Sequence, residues 1–327
     1  MKFAVLFPGQ GSQKVGMGLD LYEKTNTGKE IFNKVDKEVG RKISNICFYG
    51  PDEELNQTKN TQILIVTISV ILILLLREEL KNKNILFAPH SVCGHSLGEL
   101  TALWYTNVIS LEELIKLVLI RGELMQKTKP GAMVAVVKLP LDKVKEILEE
   151  DEFKNDVVIA NYSTPSQFVL SGKKEKIERV AQKIKLSEGK AIILPVSGAF
   201  HSPLMEESSK VFNQELNKIS LKEKPNNALM PIYQNFDGNP AIEYRTIINK
   251  LQKQMTSPVL WTQTINNLVK DDVTKIVEIG PGKVLSGLIS KITTEVDYYN
   301  IFDLASLKDF IENYEHRLFT QQTTKTT

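Results

Sequence analysis

The sequence predicts an α/β protein with an α/β-hydrolase-like core around a parallel sheet and an inserted ferredoxin-like (βαββαβ) small domain. Three observations predict it. The first is Gly94-His95-Ser96-Leu97-Gly98, a serine between two glycines that follows directly on the small or apolar Ser91, Val92 and Cys93. This is the pattern of a strand ending in a sharp turn that only small neighbours tolerate, with a helix beginning at once. The second is a pair of short apolar runs ended by glycine and proline: residues 3–7 before Pro8-Gly9, and residues 273–279 before Gly280-Pro281-Gly282. Both read as buried strands. The third is a strand-helix-strand-strand-helix-strand order across residues 132–196.

Taken along the chain, the first strand leads into the polar loop Gln10-Gly11-Ser12-Gln13 and a helix near residues 17–25. Residues 63–76 are almost wholly apolar, with Asn60 and Thr61 before them and Arg77, Glu78, Glu79 and Lys81 after. At about fourteen residues the run is short of the ~20 needed to span a bilayer, and Thr67 and Ser69 interrupt it, so it reads as a core helix buried on all sides. Ser110-Leu111-Glu112-Glu113 has the form of a capping box and opens a helix that runs to about Lys127. In the inserted segment, strands are expected at 133–138, 157–162, 167–171 and 191–196, and helices at 141–150 and 174–186.

The segment 197–205 then enters a helix reaching about Ile219. A strand near 230–235, a turn at Asp237-Gly238-Asn239-Pro240 and a helix before Ser257-Pro258 follow. The expected division is a catalytic domain over 1–130 and 198–310, a small domain over 131–197, and a partly disordered C-terminal tail over 311–327. Residues 321–327 have a disordered composition.

At 327 residues with a net charge of +2, the chain suits one large domain with a smaller one inserted and gives no reason to expect nucleic acid or a membrane surface as partner. Cys47 and Cys93 show no metal-ligand spacing and suit a reducing compartment. Residues 2–7 lead straight into Pro8-Gly9 with no secretory cleavage site.

A serine hydroxyl is a weak nucleophile at neutral pH and needs a base beside it. The chain has four histidines. His316 lies between Glu315 and Arg317 and is expected to face solvent. His90 is expected in a loop or the core. His95, next to Ser96 on a sharp turn, is expected to pack beneath it. His201, in the small-residue loop before Pro203, remains as the candidate base. On residues alone, a serine esterase or thioesterase shares this pair.

Five motifs occur in order: Phe7-Pro8-Gly9-Gln10-Gly11-Ser12-Gln13, Gly94-His95-Ser96-Leu97-Gly98-Glu99, Arg121-Gly122, Ala199-Phe200-His201-Ser202 and Glu278-Ile279-Gly280-Pro281-Gly282. Together they resemble the malonyl-CoA:acyl carrier protein transacylases over residues 3–290. The resemblance implies a malonyl transfer from malonyl-CoA to the phosphopantetheine thiol of acyl carrier protein, through a ping-pong course and an acyl-serine, supplying fatty acid synthesis. It implies Ser96 as nucleophile and His201 as base, with the backbone carbonyl of Gln254 orienting the histidine. The backbone amides of Gln10 and Leu97 would form the oxyanion hole, and Arg121 and Asn161 would bind substrate.

A guanidinium suits the free carboxylate of a malonyl group, which can take two parallel hydrogen bonds from it. On periodicity alone, Arg121 stands equally well on a solvated face. The resemblance further implies that no metal or redox cofactor takes part and that the protein is a monomer. It would act in the cytoplasm of a bacterium, or in a plastid or mitochondrial matrix after removal of a transit peptide. Two positions depart from the family pattern. Asn161-Tyr162-Ser163 has serine where Asn-x-Asn is usual, and Asn60-Thr61-Gln62-Ile63 lacks the usual proline after Thr-Gln.

Overall fold

Strand formation follows the apolar runs. In the computed structural model, residues 2–128, 130–196, 198–220 and 226–319 are described. The strands are β1 (Lys2–Phe7), β2 (Ser91–Gly94), β3 (Ala132–Val137), β4 (Val157–Thr164) and β5 (Gln167–Gly172). They continue with β6 (Lys190–Ile193), β7 (Ile232–Tyr233), β8 (Pro240–Ala241), β9 (Val273–Ile279) and β10 (Asp297–Ile301).

The helices of the first third are α1 (Leu19–Lys24), α2 (Asn26–Val39), α3 (Ile43–Tyr49), α4 (Asp52–Leu55), α5 (Thr58–Asn82) and α6 (Gly98–Tyr105). The middle carries α7 (Leu111–Gln126), α8 (Leu141–Leu148), α9 (Lys174–Leu186) and α10 (Glu206–Ser220). The last part carries α11 (Tyr244–Gln254), α12 (Trp261–Lys270), α13 (Val284–Ile292), α14 (Leu304–Glu312) and α15 (Tyr314–Phe319).

These elements form a mixed α/β fold with two sheets. The larger has the order β10-β9-β1-β2-β7-β8, parallel from β10 through β7, with β8 antiparallel at its edge. Its central strands are buried on both faces, which is why β1 reads as a continuous apolar run rather than an alternating one. The smaller sheet has the order β4-β5-β3-β6 with every pair antiparallel.

The β1–β2 register sets the site. Ala4 lies opposite Ser91 and Phe7 opposite Gly94, so the turn after β1 and the turn after β2 leave the sheet side by side. Both lie at the carboxyl edge of the parallel strands, where open α/β sheets place their ligands.

The expected buried helix is α5, and it is longer than the apolar run, because polar residues at both ends complete it. Thr58, Asn60, Thr61 and Gln62 are buried in its first turns, and Arg77–Asn82 extend it beyond the core. The capping box of α7 is formed: Ser110 Oγ accepts from the Glu113 amide and Glu113 returns a carboxylate to the Ser110 amide.

Other boundaries shift. The strand expected at 191–196 is only Lys190–Ile193, and the one near 230–235 is the two-residue β7. The helices α2, α3, α4, α12, α13 and α14 and the strands β8 and β10 had no counterpart in the sequence reading. Within the expected tail from residue 311, α14 runs to Glu312, and α15 follows around His316 with Tyr314 and Leu318 buried. Their packing against the core could not be read from a charged segment. Residues 320–327, including the expected disorder at 321–327, lie outside the described residues, as do Met1, Lys129, Ser197 and 221–225.

Candidate active site

The turn after β2 is built by close approach. A Cβ at Gly98 would lie 2.1 Å from the Phe7 carbonyl oxygen, and one at Gly94 would lie 2.0 Å from the Gly98 carbonyl carbon. Neither position has room for a side chain, so the turn can pack directly on the end of β1. Ser96 sits between them at φ 50°, a left-handed conformation that costs a non-glycine residue about 1–3 kcal/mol and persists only where surroundings enforce it. The enforcement is visible. The Ser96 amide donates to Asn235 Oδ1 at 2.6 Å, and Asn235 Nδ2 donates to the Gly94 carbonyl at 2.7 Å.

His201, from the loop before the short 3-10 turn Pro203–Met205, comes 105 residues later in the chain and meets Ser96 across the cavity. Its Nε2 lies 2.7 Å from Ser96 Oγ. Its Nδ1 lies 3.0 Å from the Gln254 carbonyl oxygen and 3.2 Å from that of Ser257. Carbonyls only accept, so Nδ1 carries the proton and Nε2 keeps a lone pair for the serine hydroxyl. Burial, and then the Arg121 charge, push the His201 pKa down to about 3, with the carbonyl contacts opposing. The imidazole is therefore neutral near pH 7.

Arg121 projects from α7 and is only 1% exposed, so it stands in the core rather than on the solvated face that periodicity allowed equally well. Its Nη2 donates to Ser96 Oγ at 2.9 Å and to Gln254 Oε1 at 3.1 Å, and its Nη1 donates to Gln62 Oε1 at 2.9 Å. Its Nε is buried with no partner among the described residues. Burial lowers its pKa to about 10, with the Glu99 charge opposing, which leaves the guanidinium charged at neutral pH.

Behind this pair lies Glu99, in the first turn of α6 and fully buried. Its Oε2 accepts from Gln254 Nε2 at 2.6 Å, and its Oε1 accepts from the Asn235 amide. Gln254 Nε2 also donates to the Ser96 carbonyl at 2.9 Å. Burial raises the Glu99 pKa to about 7, although these hydrogen bonds and the Arg121 charge pull it back.

Gln10, Leu97, Arg121 and Asn161 line one cavity with Ser96 and His201; Met125, Met133, Leu194, Val196 and Phe200 supply its apolar wall. Leu97 precedes α6, and Gln10 follows the Pro8-Gly9 turn, where a Cβ at Gly9 would lie 2.4 Å from the His95 carbonyl. Asn161 stands on β4, with its Oδ1 buried and unpartnered among the described residues. The segment around it is fastened to the larger layer, since the Tyr162 amide donates to the Val259 carbonyl at 3.0 Å and the Val259 amide to that of Ala160 at 2.8 Å. Ser163 is buried and is not part of the cavity wall.

Of the other histidines, His95 packs edge-on against Trp261, with ring centroids 5.3 Å apart, and His90 and His316 are exposed. Larger cavities lie elsewhere, among them one beside the 12–20 loop, one between α5 and α14 and one beside α4, and none of these three contains Ser96 or His201.

The structure brings together every residue singled out from the sequence and adds Gln62, Glu99, Asn235 and Ser257. Glu99 had one available signal: a carboxylate in a helix whose other residues are nearly all apolar or small. Asn235 had none, since its partner Ser96 is 139 positions away. Among the described residues, no group of three or more His, Cys, Asp or Glu could hold a metal ion, and no helix is long and apolar enough to cross a membrane.

The sequence pattern of the acyl transferase domain matches residues 5–323. The malonyl CoA-acyl carrier protein transacylase of Bacillus subtilis (strain 168) is 36% identical over 307 residues, covering 92% of this chain and 94% of that protein. The crystal structure of the malonyl CoA-acyl carrier protein transacylase from Clostridium perfringens superposes with a TM-score of 0.84 at 34% identity, over 97% of this chain and 98% of that one. A malonyl-transacylase solved in complex with its type II PKS acyl-carrier protein gives a TM-score of 0.87 at 32% identity, over 96% of this chain and 100% of that one.

Proposed function

The chain belongs to the acyl transferase domain family and, within it, to the malonyl-CoA:acyl carrier protein transacylases, and from that premise we propose how its residues divide the reaction. It transfers a malonyl group from malonyl-CoA to the phosphopantetheine thiol of acyl carrier protein, the step that supplies fatty acid synthesis. Ser96 is the nucleophile. His201 Nε2 takes its proton as Oγ attacks the thioester carbon. The oxyanion that develops faces the backbone amides of Leu97 and Gln10, which the β1–β2 register sets side by side. The carbon–sulfur bond breaks, His201 returns the proton to the CoA sulfur, and malonate remains as an ester on Ser96.

In the second half the carrier thiol gives its proton to His201 and attacks the ester, and the proton passes to Ser96 Oγ as the new thioester forms. Each half balances with serine, histidine and two thiols, so no resident cofactor enters the scheme. Arg121 takes the malonyl carboxylate: its Nε is unpartnered, and the Nη2 hydrogen given to Ser96 Oγ turns to the carboxylate once that oxygen is acylated, which makes a pair of adjoining donors. Asn161 contacts the substrate from the opposite wall.

The carrying observation is the Ser96–His201 contact of 2.7 Å, with Nδ1 capped by carbonyls and a buried guanidinium beside the same oxygen. A buried arginine in the acyl pocket suits an acid-bearing acyl group and has no use in a hydrolase of neutral esters. We read the β4-β5-β3-β6 sheet with α8 and α9 as a ferredoxin-like domain over 131–197, inserted in an α/β-hydrolase-like catalytic domain over 1–130 and 198–310; the all-antiparallel strand order supports this. By analogy with its bacterial relatives, the site of action is the cytoplasm.

Intact-mass measurement after mixing with malonyl-CoA tests the scheme. The expected result is a malonyl adduct on Ser96 that persists alone and is discharged by acyl carrier protein. Rapid loss to water without the carrier would instead identify a thioesterase.

A further inference from the structure

We propose that Glu99 is the positioning residue of this site, holding the nucleophile, the base and the acid-binding arginine in one arrangement through Gln254 and Asn235. The inference rests on the acyl transfer reading above. Each carboxylate oxygen has its own task. Oε1 accepts from the backbone amide of Asn235, whose side chain clamps the turn on both sides of Ser96 through the Ser96 amide and the Gly94 carbonyl. Oε2 accepts from Gln254 Nε2 at 2.6 Å.

That second bond fixes the orientation of the Gln254 amide. With Nε2 turned to Glu99 and to the Ser96 carbonyl, Oε1 must face Arg121 Nη2, where it accepts at 3.1 Å. The same residue presents its main-chain carbonyl to His201 Nδ1 at 3.0 Å. The Asn235 backbone amide can only donate, whereas the Gln254 amide could face either way, and an accepting oxygen on Glu99 turns its Nε2 inward and so sets the polarity of the contacts beyond it. Glu99 and Arg121 do not pair directly in this chain of contacts: the Gln254 amide stands between the buried negative and positive charges and is polarised by both.

Glu99 touches no substrate atom in this scheme. It replaces the carboxylate that usually stands directly behind a catalytic histidine, acting on the histidine, the serine and the arginine at one remove. A glutamine in its place cannot do this, because its NH2 would meet one of the two donors.

The test compares wild type with Glu99→Gln in the full chain, by rapid-quench acylation from malonyl-CoA and from acetyl-CoA. The expected result is a folded protein that still acquires its adduct on Ser96. Acylation by malonyl-CoA should slow about 10- to 100-fold, with a clear fall in the malonyl-over-acetyl preference. A folded Glu99→Gln protein with wild-type rates and preference would overturn the proposal.

Gln254→Met provides a second arm. It keeps the main-chain carbonyl that holds His201 and a similar side-chain volume but removes the amide link. The same loss of preference is expected, and an unchanged preference there overturns the proposal even if Glu99→Gln does not fold. Failure of wild type to form any malonyl adduct would instead refute the acyl transfer reading on which both arms depend.

Discussion

The two walls of the cavity at Ser96, the proposed catalytic site, are built on opposite terms. On the wall formed by the parallel sheet, the hydrogen-bonding groups of the reacting residues are engaged by protein. Ser96 has its amide held by Asn235, its carbonyl by Gln254 and its hydroxyl by His201 and Arg121. On the facing wall, contributed by the smaller sheet and the segment after it, Asn161 Oδ1 has no partner, and its neighbours Met133, Leu194, Val196 and Phe200 are apolar. Apart from Arg121 Nε, the first wall is saturated before substrate arrives; the other is completed by it. The contrast teaches that the reacting groups are pre-organised by the large layer, which also holds the carboxylate-binding Arg121, while the facing wall is left for the ligand to complete. Pre-organised groups are worth most where charge develops, while unpaired groups are tolerable where a ligand will pair them.

Substitutions on the saturated wall should therefore be severe. Ser96→Ala removes the acceptor oxygen, and the malonyl adduct should vanish from the intact mass, with transfer reduced on the order of 10⁴-fold or more. An adduct surviving in this variant would move the nucleophile elsewhere. His201→Ala should slow acylation by about 10²- to 10⁴-fold while leaving circular dichroism unchanged, as loss of a general base does. Normal acylation would remove His201 from that role.

Arg121→Ala sharpens the contrast from the substrate side. Malonyl transfer should fall on the order of 100-fold while acetyl transfer falls much less, since only the former loses charge-assisted bonds. An unchanged ratio would detach Arg121 from carboxylate recognition.

The saturated wall also depends on its packing. Gly98→Ala would force a methyl group into the Phe7 carbonyl, and urea unfolding should register a loss of about 1–3 kcal/mol together with slower acylation. The open wall should be far more forgiving. Asn161→Ala should leave the melting temperature unmoved and change the apparent KM for malonyl-CoA by less than about tenfold, consistent with one hydrogen bond made only to ligand. A large loss of stability there would show that Asn161 belongs to the protein's own network after all.

What could be read from the sequence follows the same division. Ser96 was legible because close backbone approach leaves a local trace, the two glycines on either side of it. His201 and Arg121 were legible through the ordered motifs that resemble a family, and periodicity alone left Arg121 undecided. The resemblance pointed to the Gln254 carbonyl as well, but the side-chain network behind these residues was not legible. Glu99, Asn235 and Gln254 meet only after β2, β7 and α11 are folded together, and no local rule links positions more than a hundred residues apart. Among the elements, β1, the α7 capping box and the buried stretch of α5 have strong local signals. β10 and α13–α14 do not, because their order depends on packing against a finished sheet.

Pro130 and Gly198 pair as an isolated antiparallel bridge, so the chain leaves for the small sheet and returns from it at one point. His201 lies just beyond that return, on the side of the large layer. The segment carrying the open wall is thus a cassette with a single doorway. Its strands are threaded separately from those that hold Ser96, and the bridge of Asn161 to Val259 is the second place where the two sheets are tied together.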